Sequence, residues 1–199
     1  MKTNFFILLA IIALLAGSCT SSHENKDNFV AGVEQPEISL NGTWKFHMDP
    51  PKAFLGNDTE FQSWSDIQVP GECQMQGFPI KHDLAYAYKT SFEIPGDYAG
   101  KQIQLNFYGV YSYARVWVNG QFIREHYGGF TKWSCNITDV VKPGETAILT
   151  LELTDRSDEI SYGSGYAKHQ IGGILRGVNL LAMPKIGRAS CRERVYACV

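Results

Sequence analysis

The chain has 199 residues, 44% of them hydrophobic and 13% aromatic, and a formal net charge of −2. A mildly acidic balance without a basic cluster argues against nucleic-acid binding, which relies on neutralising phosphates. The stretch between the two unusual ends, about 150 residues, is long enough for one domain with a real core.

The N-terminus carries Lys2, an uninterrupted apolar run from Phe5 to Ala16, and then AGSC ending at Cys19. A charged start, an apolar stretch of about a dozen residues and small residues before a cut describe an export signal. The run is shorter than the roughly 20 apolar residues of a membrane-spanning helix. Cys directly after Ala-Gly-Ser resembles a bacterial lipoprotein box. Residues 1–18 are therefore expected to be a lipoprotein signal peptide, with Cys19 the lipidated first residue of the mature chain. The expected location is the bacterial cell envelope, periplasm-facing or at the cell surface, with a lipid as the membrane contact. Residues 19–37 read as a polar tether.

Beyond the tether, short alternating runs recur at Thr43–Met48, Tyr86–Ile94, Ile103–Tyr108, Ala114–Val118, Gln121–Glu125, Ala147–Leu153 and Gly177–Met183. Turn signals such as IPGDYAG, VNGQ and KPGE separate them, and ITDVV suits a single helical turn. Short strands with Gly/Pro-rich connections and no long amphipathic helix indicate an all-β sandwich or barrel. Asn119-Gly120 supplies the two positive φ angles of a type I′ turn. That turn sets Val118 opposite Gln121, Trp117 opposite Phe122 and Val116 opposite Ile123. Arg115 then falls opposite Arg124, a like-charged pair that calls for an acidic or backbone partner nearby. Trp117 and Phe122 read as cross-strand packing more readily than as a sugar platform. The segment His126–Trp133 mixes rings, polar groups and glycines, and is expected in the core or at its rim.

The long polar loop Asp155–Gln170 holds Asp155, Asp158, Glu159, Tyr162, Tyr166, Lys168 and His169, with Gly163 and Gly165 as flexible points. Loops this long in a compact domain are usually functional or disordered. Asp155, Asp158, Tyr162, Tyr166, Lys168 and His169 are the substrate-loop candidates, weighed against a plain solvated loop. The five histidines lack metal-ligand spacing, so neither a metal nor another cofactor is expected. Of five cysteines only Cys73 and Cys135 belong to the mature domain. An oxidising compartment would let them pair, and two buried free thiols are an equally open reading. Residues 186–199 read IGRASCRERV and YACV, resembling one reading frame of a DNA-sequencing adaptor. They are expected to be a non-native tail on a truncated gene. Removing Lys2, Arg188, Arg192 and Arg194 from 18 basic residues, and Glu193 from 20 acidic ones, leaves residues 19–185 at net −5.

Six blocks occur in order between Val69 and Leu181: VPGECQMQG, YAYKTSFEIP, YSYARVWVNGQFI, HYGGFTKW, ITDVVKPGE and GGILRGVNLL. In that order the chain resembles the N-terminal sugar-binding domain of glycoside hydrolase family 2, the group containing β-galactosidases, β-glucuronidases and β-mannosidases. The resemblance covers residues 38–185 and implies a jelly-roll β-sandwich of galactose-binding-domain type. It also implies retaining β-glycosidase chemistry on a separate downstream barrel, so no catalytic residue is assigned here. In such a protein the long loop before the G-I-x-R motif reaches toward the neighbouring barrel. One family arrangement places an aspartate six positions before the motif glycine. Counting back from Gly173 gives Ala167, so that role is not carried over. Arg176, in Gly173-Ile174-Leu175-Arg176, is implied at a domain interface. Cys73 stands where the family commonly has Trp, and the direct passage through YAYKTSF is closer to shorter, glucuronidase-like forms.

Two functions follow as expectations. The first is the carbohydrate-binding or scaffolding front domain of an exported retaining β-glycosidase, truncated before its barrel and inactive by itself. Its partners would be downstream domains of the same chain and, through them, a carbohydrate substrate. The alternative is a stand-alone, non-catalytic carbohydrate-binding lipoprotein.

Overall fold

The computed structural model describes residues 30–51, 54–55, 59–156 and 171–185, with only the backbone described at 59 and 60. Cys19, the 186–199 tail and most of the long polar loop lie outside these residues.

Among the described residues there are twelve strands: β1 (Glu37–Ser39), β2 (Gly42–His47), β3 (Ser65–Val69), β4 (Ala85–Glu93), β5 (Gln102–Phe107), β6 (Val110–Tyr111), β7 (Tyr113–Val118), β8 (Gln121–Tyr127), β9 (Trp133–Asn136), β10 (Thr146–Thr154), β11 (Gly173–Ile174) and β12 (Val178–Met183). A four-stranded sheet runs β1-β12-β5-β9 and a six-stranded sheet β3-β2-β4-β10-β7-β8, while β6 and β11 make a separate ribbon. All these pairings are antiparallel. The fold is an all-β sandwich, as the alternating pattern indicated, of the jelly-roll type that the resemblance implied. All seven sequence-expected strands are present. β1, β3, β6, β9 and β11 went unread because each is five residues or fewer, too short for a period to declare itself. ITDVV forms a hydrogen-bonded turn, with Val140 N–H donating to the Ile137 carbonyl at 3.0 Å.

The core follows from the period of two. Ala147, Leu149, Leu151 and Leu153 of β10 face inward with Tyr86, Tyr88 and Phe92 of β4, Ala114, Val116 and Val118 of β7, and Leu105 and Phe107 of β5. Burying each large apolar side chain contributes about 1.5–3 kcal/mol. The opposite face of β4 and β10 is covered as well. Lys89, Thr150 and Glu152 are buried there, under the connection between β2 and β3. Phe54 packs on Trp117 with centroids 6.2 Å apart. The Lys89 ammonium lies 5.3 Å from the Phe61 ring centroid and 5.7 Å from that of Trp64. A lysine on the outward register of a strand is thus enclosed by two rings, where cation–π attraction offsets part of its desolvation.

The edges of the sandwich are also pinned. Gln76 donates to and accepts from the backbone of Gln68 on edge strand β3, at 3.0 and 2.7 Å. The side-chain amide takes the place a further strand would occupy. At the other end, residues 30–37 were expected to finish a tether and instead lie on the sandwich. Val30 is buried, Tyr98 donates to the Gln35 carbonyl at 2.6 Å, and Glu37 opens β1. These contacts join segments distant in sequence, so none is visible as a hydrophobic period.

The hairpin carries the clearest register result. Asn119 and Gly120 have φ of 51° and 76°, the type I′ geometry the dipeptide specifies. Asn119 also bonds through its side chain to Ile148 N–H and the Val140 carbonyl, both at 2.9 Å. Val118 and Trp117 pair with Gln121 and Phe122 as expected, but a bulge at Val116/Trp117 then pairs Val116 with Arg124 and Arg115 with Glu125. The expected Val116–Ile123 and Arg115–Arg124 pairs do not form, because Ile123 is the extra residue. Arg115 now has Glu125 across from it and an ion pair with Glu152 on β10. The bulge removes the like-charge conflict that the unbroken register imposed.

Replacing Gly120 by Val should destabilise the domain by about 1–3 kcal/mol, since a β-branched residue at positive φ is strained. Chemical denaturation of the two proteins measures it. Equal midpoints and slopes would show that the turn carries no such requirement.

Candidate functional site: the glycine-rich corner

The blocks around residues 71–73, 86–88, 109–111 and 172–176 converge on one corner of the sandwich. Gly71 and Cys73 N–H groups donate to the Ile174 and Gly172 carbonyls at 2.8 and 2.9 Å. On the other side, Gly173 and Ile174 pair with Tyr111 and Val110. Three segments distant in sequence therefore share one backbone network. The glycines are a steric necessity. A Cβ at Gly172 would sit 2.4 Å from the Tyr86 hydroxyl and 2.3 Å from Ile80, and Gly173 has φ of 119°. Gly129 similarly lies against the Tyr111 ring, where a Cβ would approach within 2.1 Å.

Beneath this backbone lie two tyrosines and a thiol. Tyr86 donates to the Tyr111 carbonyl at 3.2 Å, and the Tyr88 hydroxyl is 3.0 Å from Cys73 Sγ. Burial is the main reason both tyrosine pKa values rise well above the ordinary value of 10.0. Burial likewise pushes the Cys73 thiol up to about 12, with the Tyr88 hydrogen bond opposing and Glu72 adding. These groups stay neutral and serve as hydrogen-bonding struts. Glu72 closes the corner by accepting from Met75 N–H at 2.7 Å and Gly172 N–H at 3.4 Å. Cys135, on β9, is also a buried free thiol. Cys73 and Cys135 are therefore unpaired, the second of the two readings open at the sequence level.

Asp155, at the head of the long loop, is only 1% exposed. Its carboxylate lies 3.5 Å from His82 Nδ1, and its carbonyl accepts from Asp83 N–H at 3.2 Å. It fastens the loop's first residue to the sheet end. Arg156 N–H donates to Ser112 Oγ at 2.7 Å, and its guanidinium lies 4.4 Å from the Tyr113 ring centroid and bonds the Tyr127 hydroxyl. Asp158, Tyr162, Tyr166, Lys168 and His169 lie outside the described residues, so Asp155 is the one loop candidate placed.

Arg176 is exposed. Its backbone N–H donates to Gly109 at 3.2 Å, and its Nη1 reaches the Phe130 carbonyl at 3.5 Å. Phe130 is 58% exposed beside Tyr111, their centroids 5.5 Å apart. Lys132 sits over Tyr108 at 4.6 Å. The result is a surface of exposed ring and cations framed by close-packed glycines. From the same His126–Trp133 segment, Trp133 enters the core and stacks on Phe107 at 4.2 Å. Sequence reasoning missed Tyr86, Tyr88 and Glu72 as partners of the G-I-L-R motif. The paired glycines 172 and 173 were the available signal. A separate groove of about 550 Å³ is lined by both polar and apolar residues, among them Met48, Asp49, Phe54, Lys81, Leu84 and Glu152.

Residues 58–174 match the family described as glycosyl hydrolase 2 galactose-binding domain-like. The β-galactosidase of Halalkalibacterium halodurans is 29% identical over 176 residues, covering 74% of this chain and 17% of the relative. That of Thermoanaerobacterium thermosulfurigenes is 30% identical over 150 residues, covering 72% and 21%. Among solved structures, Bacteroides uniformis β-glucuronidase 2 superposes with a TM-score of 0.64 at 25% identity, over 74% of this chain and 18% of that one. The chain thus spans about a fifth of the length of the curated relatives it matches.

Raised thiol pKa values have a measurable consequence. Because the folded-state pKa of Cys73 and of Cys135 is raised from 9.0 to about 12, their contribution to stability is intact below about pH 9. It is lost as pH rises from 9 toward 12. Alkylation of both thiols at pH 8 should run roughly a thousandfold slower in the native than in the unfolded chain, the thiolate deficit such a shift implies. Peptide-level mass spectrometry reads it, and equal native and unfolded rates would contradict the burial.

Proposed function

The chain belongs to the glycosyl hydrolase 2 galactose-binding domain-like family, and from that membership we propose that it serves as the non-catalytic front sandwich of an exported retaining β-glycosidase. One observation carries the reading: relatives named β-galactosidases align with this sandwich through only about a fifth of their own length. Retaining hydrolysis needs a nucleophilic carboxylate and an acid/base carboxylate about 5–5.5 Å apart. We assign both to a (β/α)8 barrel, which typically takes about 250 residues, more than the 199 here can hold beside the sandwich.

The sandwich's own work is then structural and positional. The glycine-rich corner presents Arg176 and Phe130 outward, and these are the groups we assign to the contact with the catalytic part. The placement of Asp155 supports this division. A carboxylate 1% exposed and facing His82 holds the base of a loop; it does not attack a sugar. The mixed groove over Met48 and Phe54 supports carbohydrate contact by the domain itself, with β-galactosides or β-glucuronides as the substrate class of the whole enzyme. We further propose export and lipidation at Cys19, motivated by the Lys2–Ala16 signal ending in Ala-Gly-Ser-Cys.

Purified residues 19–185 should hydrolyse none of the chromogenic β-galactoside, β-glucuronide and β-mannoside. Turnover above background that disappears in Asp155→Asn would overturn the assignment of catalysis to another domain.

For the location, Cys19→Ser should move the protein from the membrane fraction to the soluble fraction. A variant that still sediments with membranes as wild type does would rule out the lipid anchor.

A further inference from the structure

The bulge at Ile123 turns Arg124 and His126 toward β9. Strand β8 is the edge of the six-stranded sheet and β9 the edge of the four-stranded one, so the side chains between them close one side of the sandwich. The closure is a stack. Trp133 lies between Phe107, with centroids 4.2 Å apart and planes at 18°, and His126, at 4.6 Å and 20°. Arg124 spans the same gap, donating to the Ser134 carbonyl at 2.6 Å with its guanidinium 5.5 Å from the Trp133 ring centroid. Within this stack His126 Nε2 and Trp133 Nε1 are both buried without a hydrogen-bond partner.

We propose that the β8–β9 seam is a proton-controlled clasp, closed when His126 is neutral and loosened when it is protonated. A neutral imidazole can leave Nε2 as a bare acceptor, a modest cost. Protonation makes the same atom a buried cationic donor with nothing to receive its proton, and unpaired charged donors are far more costly than neutral acceptors. The charged groups around it reinforce this. Arg124, on the same strand, adds a like charge. From the 128–132 turn, the Lys132 ammonium lies over Tyr108. β9 brings Trp133, Ser134 and the buried thiol of Cys135, and β7 places Ala114 opposite. Glu125, the nearest acid in sequence, is turned to the other face, where Tyr113 donates to it at 2.6 Å. Stacking of an imidazolium on indole is attractive, but it is outweighed: burial first, and Arg124 second, lower the His126 pKa from 6.5.

The sign follows from linkage. The open seam binds the proton more tightly than the closed one, so closure is complete above about pH 6.5 and weakens as pH falls below it. Opening would free two strand edges at once, while β4 and β10 in the sheet interior stay protected.

Hydrogen exchange on the full chain tests this, with protection factors corrected for intrinsic pH dependence. Between pH 7.5 and 5, amides of residues 124–127 and 133–136 should lose protection by about tenfold for each pKa unit separating closed and open forms. Amides of β4 and β10 should not change. In His126→Phe, which keeps the ring stack but cannot be charged, the pH dependence of the seam should vanish. Seam protection that is pH-independent in wild type, or that falls equally in His126→Phe, overturns the proposal. Should that variant not fold, Arg124→Gln supplies a second reading. Removing the neighbouring cation should bring the proton affinity of the closed form nearer that of the open form, so the loss of seam protection between pH 7.5 and 5 should shrink, and an undiminished loss overturns the clasp.

Discussion

Close backbone approach at Gly172–Gly173 is the constraint on which the rest of the corner depends. The tyrosines of β4 are large, buried and oriented by hydrogen bonds to Tyr111 and Cys73. Only a chain without Cβ atoms can run directly over them, and only a residue free to adopt a φ of 119° can then turn into β11. Once that approach is made, the carbonyls of Gly172 and Ile174 meet the N–H groups of Cys73 and Gly71. The exposed side chain of Arg176 is then placed by backbone contacts with Gly109. A surface residue gains a defined position because the glycines beneath it allow no alternative packing.

A second constraint is the covering of the six-stranded sheet on both faces. A sandwich sheet ordinarily shows a polar outer face, and Lys45, Lys89, Thr150 and Glu152 give β2, β4 and β10 that appearance in sequence. The connection between β2 and β3 nevertheless brings Phe54, Phe61 and Trp64 over it. Lys89 is thereby enclosed among rings, and Glu152 survives burial through Arg115. Charged residues on this face therefore support packing, and removing one partner would strand the other in a poorly solvated site.

The single inserted residue at Ile123 links the two sheets. Every side chain after it changes face, because strand periodicity is two. Arg124 and His126 turn toward the gap between sheets, while Glu125 takes the place opposite Arg115. One shift both relieves a repulsion on the outer face and supplies the side chains that close the inner edge. Neither effect is available to the unbroken register that the Asn119-Gly120 turn by itself implies.

Alternation alone located the seven longer strands, and Asn119-Gly120 located its turn, since both signals are local and backbone geometry enforces them. The ordered blocks from Val69 to Leu181 likewise carried family and fold in their spacing. Which groups those blocks bring together was not legible. Glu72 and Gly172 lie 100 positions apart in the chain, and no local pattern records their contact. The same holds for Lys89 under Phe61 and Trp64, for Val30 and Gln35 held on the sandwich, and for the bulge, whose cause is a partner strand and an ion pair on a third. Sequence by itself determined the seven longer strands, the turn and the kinship. Tertiary structure decided register, burial of charge and the placement of Arg176 and Asp155, because those depend on contacts between segments whose proximity exists only after the two sheets have closed.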